Sequence, residues 1–202
     1  GIPSHNSEPT PENLKDLAMV TRAVNADVGI AHDGDADRAV FIDENGVYIP
    51  GEKTLAYLAY NAVKENNGGT VVTAVSSSTC VEDMAKRAGG DVKYTKVGSP
   101  VIARVMKKIN SVFGGEENGG LIFPQFQYCR DGGMAIAKML EILAKEKKTL
   151  SECISMVPQY AFFKTKIACP ETKKRKVLDN LIDTLKKEGK EIVTIDGAKI
   201  YH

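Results

Sequence analysis

Tryptophan is absent from this sequence, histidine occurs three times, and neither sign of charge prevails, since 27 Lys and Arg face 26 Asp and Glu. A net charge of +1 offers no basic field for nucleic acid or an anionic membrane surface, so neither is expected as a partner. No apolar run approaches the roughly 20 residues that a spanning helix needs, and the first residues lack the pattern of a signal peptide. Cys80, Cys129, Cys153 and Cys169 are far apart and form no C-x-x-C pair. They read as reduced thiols of a cytoplasmic protein rather than as a metal or disulfide framework. His5, His32 and His202 have no partners at metal-ligand spacing. What remains is an ordinary globular balance, 43% hydrophobic and 26% charged, over 202 residues. That length suffices for one large domain or two small ones.

Thr10-Pro11-Glu12 predicts a helix start, with a capping Thr and Pro in the first helical position, and Leu14, Leu17, Ala18 and Val24 keep helical spacing. A short buried strand is expected over Ala26–Ala31. Ala39–Asp43 and Val47–Ile49 flank Asn45-Gly46, a strong hairpin signal. Regular alternation follows: a helix carrying Leu55, Leu58 and Val63, a strand over Thr70–Val75, and a helix opened by a capping box at Thr79–Glu82. Next come a strand over Val92–Thr95, a helix over Val101–Ile109, a short strand at Val112-Phe113, a helix over Gly133–Lys145 and a second capping box at Thr149–Glu152. Such β–loop–α repeats predict an α/β fold of mixed, largely parallel sheets flanked by helices. Past Pro158 the pattern gives a strand over Tyr160–Ile167, a helix carrying Val177, Leu181 and Leu185, and a hairpin turned by Asp196-Gly197. Its second strand, Ala198–Tyr201, stops with the chain, which suggests a fragment of a larger protein.

The densest chemistry is Asp33-Gly34-Asp35-Ala36-Asp37-Arg38. Asp33, Asp35 and Asp37 alternate, so three carboxylates can converge on one hard cation, and oxygen-only ligation suits Mg²⁺ or Ca²⁺ rather than zinc. Arg38 can present a planar fork to phosphate oxygens. A divalent ion beside a guanidinium is what phosphoryl transfer uses. A solvated acidic turn would leave three carboxylates repelling one another. A Ca²⁺-binding EF-hand would need Gly at its sixth position, where Arg38 stands, and helical flanks, where strands are expected.

This segment resembles the metal loop of the α-D-phosphohexomutases, the phosphomannomutase/phosphoglucomutase family. Gly115-Glu116-Glu117-Asn118-Gly119-Gly120 is similar to that family's sugar-recognition loop, and Thr95-Lys96-Val97-Gly98 to a segment between the two. The form is most similar to the archaeal-type sequences. The resemblance implies residues 1–49 as the second half of domain 2, 50–160 as domain 3 and 161–202 as the start of domain 4 of a four-domain enzyme. It further implies that Mg²⁺ binds Asp33, Asp35 and Asp37, that Arg38 is catalytic, and that Glu116 and Asn118 contact the O3 and O4 hydroxyls of a hexose. The implied reaction moves a phosphoryl group between O1 and O6 of mannose or glucose phosphate through a hexose 1,6-bisphosphate and a phosphoserine.

Several residues depart from the family pattern. Asn118-Gly119-Gly120 stands where many members have Ser-Gly-His, and Ser99-Pro100 where relatives often have Asp or His. Ser76 stands about where some bacterial members have a substrate-contacting Lys, a charge that Lys96 is a candidate to supply. Ser4, within Pro3-Ser4-His5-Asn6, lies too close to Asp33 to be the phosphoserine, so the chain alone is expected to be inactive. His32 is expected to be packed beside the loop, and Asp131 to cap the helix after it. Two other readings stay open: a non-catalytic sugar-phosphate-binding module, and an Mg²⁺-dependent phosphatase with Asp33 as nucleophile. Glucosamine phosphate is disfavoured, because that branch tends to carry Gln where Glu117 stands.

Overall fold

The computed structural model describes residues 6–161, 165 and 167–200. Thr10 closes a turn ahead of the helix rather than capping it, its hydroxyl accepting from Asn13 N at 3.4 Å and its carbonyl from Leu14 N at 3.1 Å. Regular helix begins later than predicted, at α1 (Lys15–Ala23), because Leu14 leaves helical geometry at φ −105°, ψ 13°. Three strands follow, β1 (Val28–His32), β2 (Ala39–Asp43) and β3 (Tyr48–Ile49), in an antiparallel sheet of order β1-β2-β3. The β2–β3 turn uses the left-handed φ of Gly46, +77°, while Asp43 Oδ1 accepts from the backbone N–H of Asn45 and Val47, both at 2.9 Å. Every residue of β2 is buried. Its alternation sends Ala39 and Phe41 into the main core and Val40 and Ile42 against Leu14, Leu17 and Ala18.

The middle of the chain gives α2 (Gly51–Glu65), β4 (Thr70–Ala74), α3 (Thr79–Arg87), β5 (Asp91–Thr95), α4 (Ser99–Ile109), β6 (Phe113–Gly115), β7 (Leu121–Ile122), α5 (Gly132–Glu146) and α6 (Leu150–Ile154). The sheet order is β5-β4-β6-β7, with β4 parallel to both β5 and β6 and β7 antiparallel at the edge. Val71 of β4 faces the core shared with α2, α3 and α5, whereas Val72 faces Ile102 and Met106 of α4. Both sheet faces are therefore covered, and the α/β class holds. Among the described residues, parallel pairing is confined to this sheet. The ladders elsewhere are antiparallel.

The two predicted capping boxes fare differently. Ser78, not Thr79, caps α3, its Oγ accepting from Cys80 N at 3.4 Å. Thr79 is already helical, so Glu82 turns instead to Lys86 and the Tyr94 hydroxyl. At α6 the box forms, with Thr149 N donating to Glu152 Oε2 and Glu152 N donating to Thr149 Oγ1. Glu44, from the distant β2–β3 turn, also accepts from Ser151 N and its hydroxyl. Burial pushes the Glu44 carboxyl up, but the bonds from Ser151 and from its own backbone outweigh that and hold it below the usual range. A lowered folded pKa stabilises at neutral pH and loses that contribution as pH falls below about 4.3. Glu44→Gln is expected to cost about 1 kcal/mol at pH 7, with the gap to the parent chain closing near pH 3 in urea melts.

Of the predicted Tyr160–Ile167 strand, Tyr160 and Ala161 are not in a strand, while 162–164 and 166 lie outside the described residues, as do Ser4, His5, Tyr201 and His202. Then come α7 (Glu171–Lys187) and an antiparallel hairpin of β8 (Ile192–Val193) and β9 (Lys199–Ile200) turned at Gly197. Among the described residues no helix is long and apolar enough to cross a membrane.

Candidate functional site

The Asp loop spans the β1–β2 connection, closed by the pairing of His32 with Ala39. Ala36 adopts a left-handed φ of +59°, and Ala36 N donates to Asp33 O at 3.3 Å. This tight turn brings one oxygen each of Asp33, Asp35 and Asp37 within 4.8 Å of one another. One oxygen of Asp37, Oδ1, is buried with no hydrogen-bond partner. Arg38 Nε, 4.0 Å away, is too far to donate to it. A buried carboxylate oxygen left unpaired beside two more carboxylates is costly unless a cation satisfies it. Oxygen-only donors at this spacing fit Mg²⁺.

The loop is braced from three sides. His32 Nδ1 lies 3.0 Å from Arg38 O. Gly132, the first residue of α5, packs so closely that a Cβ there would lie 2.6 Å from Ala36 O and 2.7 Å from the His32 ring. Asp131 caps α5, its Oδ1 accepting from Met134 N at 2.7 Å. His32 supports the loop from the surface, since it is exposed and not packed as expected.

Arg38 is spent within the protein. Its Nε donates to Asp33 Oδ2 at 2.5 Å, and its Nη1 and Nη2 donate to the two carboxylate oxygens of Glu8 at 2.7 and 3.0 Å. The fork expected to face phosphate is therefore filled by Glu8, whose backbone carbonyl is itself held by Asn13 Nδ2 at 2.8 Å. The bond to Arg38 lowers the Glu8 pKa, and Glu8 in turn raises that of Arg38. Burial pushes the Asp33 carboxyl up, but the Arg38 side-chain and backbone bonds more than offset it.

The Glu loop joins β6 to β7 at the C-terminal end of the parallel strands, where open α/β sheets place ligands. Glu116 N donates to Gly120 O and Gly119 N to Glu116 O, closing a tight turn. Glu116 is buried, and its Oε1 accepts from Gly98 N at 3.0 Å, at the N-terminus of α4, where a carboxylate is favoured. Among the described residues no donor reaches its other oxygen. Asn118 is exposed, its Oδ1 accepting from Gly120 N at 3.1 Å. Glu117 turns away, accepting from Ser78 N. Lys96 is exposed two positions before Gly98, at the same end of the sheet.

The two loops meet. Ala39 N donates to Gly119 O at 3.2 Å, and Gly119 has φ +90° with its α-carbon against Ala39 O. Arg130 spans both loops. Its Nη2 pairs with Asp37 Oδ2 at 2.5 Å, while its stem fills the space a Gly120 side chain would need, Cδ lying 2.3 Å from an added Cβ. The structure thus joins Asp33, Asp35, Asp37 and Arg38 to Glu116 and Asn118.

Sequence reasoning missed Glu8, Arg130 as a bridge, and Lys199. Lys199 Nζ donates to Val75 O at 3.0 Å and sits 4.7 Å from the centre of the Tyr94 ring, while Asp196 Oδ2 accepts from Val97 N at 2.9 Å. Burial lowers the Lys199 pKa. No local pattern marks these three, because each partner is distant in sequence.

Residues 50–160 match the family model described as phosphoglucomutase/phosphomannomutase, alpha/beta/alpha domain III, and residues 1–46 match that of domain II. A phosphoglucomutase/phosphomannomutase of Thermococcus kodakarensis is 47% identical over 199 residues, covering 98% of this chain and 43% of the relative. A phosphoglucosamine/phosphogalactosamine mutase of Sulfurisphaera tokodaii is 40% identical over 196 residues, covering 96% of this chain and 43% of the relative. The crystal structure of a phosphoglucomutase/phosphomannomutase family protein from Burkholderia thailandensis superposes with a TM-score of 0.84 at 26% identity, over 99% of this chain and 43% of that one. The chain therefore spans less than half the length of these relatives.

Proposed function

The chain belongs to the phosphoglucomutase/phosphomannomutase family, and we propose that it supplies the metal-binding and sugar-recognition loops of a phosphohexomutase. Residues 1–49 are then the second half of domain 2, 50–160 are domain 3, and 161–202 open domain 4. The observation that carries the reading is the junction of the Asp and Glu loops through Ala39, Gly119 and Arg130. A cation site and a hydroxyl-binding site on one continuous surface suit a substrate bearing both phosphate and sugar.

Asp33, Asp35 and Asp37 would hold Mg²⁺, which when bound neutralises charge on the transferring phosphoryl oxygens. Arg38 fixes the Asp33 carboxylate from one side, so this ligand does not need to be ordered when the cation arrives. Glu116, positioned by Gly98 N–H, accepts from a hexose hydroxyl with its second oxygen, and Asn118 donates from its exposed amide. Lys96 adds positive charge at the same rim. The substrates are mannose or glucose 1- and 6-phosphates, exchanged through a hexose 1,6-bisphosphate. The phosphoserine of this scheme lies outside residues 1–202, so the chain alone would not catalyse transfer.

The test is ³¹P NMR of the full-length protein containing this chain, given Mg²⁺, mannose or glucose 1-phosphate and a trace of the bisphosphate. The 6-phosphate resonance should grow, and Glu116→Ala should lower kcat/KM by at least about tenfold through lost hydroxyl contacts. Release of inorganic phosphate instead would favour a phosphatase using Asp33. Sugar phosphate binding without conversion would favour a non-catalytic module.

A further inference from the structure

We propose that Arg130 presents a guanidinium fork to the substrate's phosphate between the Asp and Glu loops. The inference rests on the phosphohexomutase reading and assigns one of its contacts. Arg38 has no free two-donor edge: Nε donates to Asp33 and one hydrogen each of Nη1 and Nη2 to Glu8, which leaves only single N–H groups. Its side chain is 17% exposed. For Arg38 to offer a phosphate its end-on two-donor fork, an intramolecular bidentate carboxylate would first have to leave, and such forks are among the stronger charge-assisted pairs.

Arg130 is placed differently. Its side chain is 25% exposed, and among the described residues only Nη2 has a partner, Asp37 Oδ2. The remaining N–H groups stay open to an incoming anion, and one edge of the planar guanidinium keeps both of its hydrogens, as bidentate contact with phosphate oxygens requires. Its location is set twice over. One end is fixed by a carboxylate of the Asp loop, and its stem is held in the gap that Gly120 leaves beside Asn118 Oδ1. The charge therefore lies on the line between the cation loop and the hydroxyl-binding loop, where the phosphate of a bound hexose phosphate has to pass.

The experiment uses the full-length protein containing this chain, its Arg130→Met and Arg130→Lys variants, and two probes. Mannose 1-phosphate binding is read by calorimetry, and Mn²⁺ binding by electron paramagnetic resonance. Arg130→Met should weaken mannose 1-phosphate by about tenfold or more, the effect of losing charge-assisted hydrogen bonds to an anion. The same variant should bind Mn²⁺ as tightly as the parent or more tightly, since it frees Asp37 from a competing cation. Arg130→Lys, which keeps the charge and loses the planar fork, should fall between, and its melting curve controls for folding. Sugar phosphate affinity within twofold of the parent would overturn the proposal. A parallel loss of both ligands would also overturn it, because that is the signature of a merely structural bridge. If the full-length parent bound Mn²⁺ but no mannose 1-phosphate, the functional reading itself would fall and this assignment with it.

Discussion

Asp35→Asn is expected to lower the affinity of the chain for Mn²⁺ or Mg²⁺ by at least about tenfold and on the order of a hundredfold, with no loss of thermal stability. The three Asp residues of the loop do different work, and this variant separates them. Asp33 is bonded to Arg38 at 2.5 Å and Asp37 to Arg130 at 2.5 Å, so replacing either removes a structural ion pair as well as a ligand. Asp35 is exposed, and among the described residues it has no hydrogen bond or ion pair. Its position within 4.8 Å of the other two carboxylates is therefore all cost in the absence of a cation. Neutralising it should leave melting unchanged or raise it slightly in metal-free buffer. Calorimetric titration with Mn²⁺, run beside thermal melts in chelator, checks both halves. Unchanged affinity would remove the Asp loop from the account.

The second large effect concerns shape rather than charge. Gly51→Ala is expected to destabilise the chain by about 2–4 kcal/mol and to weaken hexose phosphate binding. Gly51 opens α2, and a Cβ there would lie 1.7 Å from the carbonyl oxygen of Glu117 and 2.8 Å from its carbonyl carbon. Both atoms are backbone, so no rotamer change relieves the clash. Either the first turn of α2 leaves the core, where Leu55 and Leu58 are buried, or the Glu116–Gly120 turn shifts away from Gly98. Gly133→Ala is the control. A Cβ there meets only Asp131 Oδ1, at 3.4 Å, and Ala at a helix position should be neutral or mildly stabilising. Urea unfolding of the two variants gives the comparison. Equal effects would mean the α2–Glu loop contact is not tight.

Much of this was legible in the sequence because metal and sugar loops keep their reacting groups close along the chain. Alternation alone pointed to the convergence of Asp33, Asp35 and Asp37, whose oxygens lie within 4.8 Å of one another, and the Gly flanks with the family resemblance singled out Glu116 and Asn118. The hairpin at Asn45-Gly46 and the second capping box followed from local chemistry that needs no tertiary partner. Other features were hidden. Ala39-Val40-Phe41-Ile42 reads as one apolar run because β2 is buried on both faces, which says nothing of its antiparallel neighbours. β7 has two residues, too few for any periodicity. The α3 cap fell one residue early, since Ser78 and Thr79 are both favoured cap residues and the course of the chain after β4 chooses between them. Arg38 kept its place beside the metal loop but not its free fork, because Glu8 reaches it only after folding.

The most direct measurement is an amide ¹⁵N spectrum of the chain titrated first with Mg²⁺ and then with mannose 1-phosphate. Mg²⁺ is expected to shift the amides of 33–38, and the sugar phosphate then to shift those of Gly98, Glu116, Asn118 and Gly120. Shifts confined to the groove lined by Asp27, Leu140 and Lys147 on another part of the surface, or no shift in either loop, would contradict this.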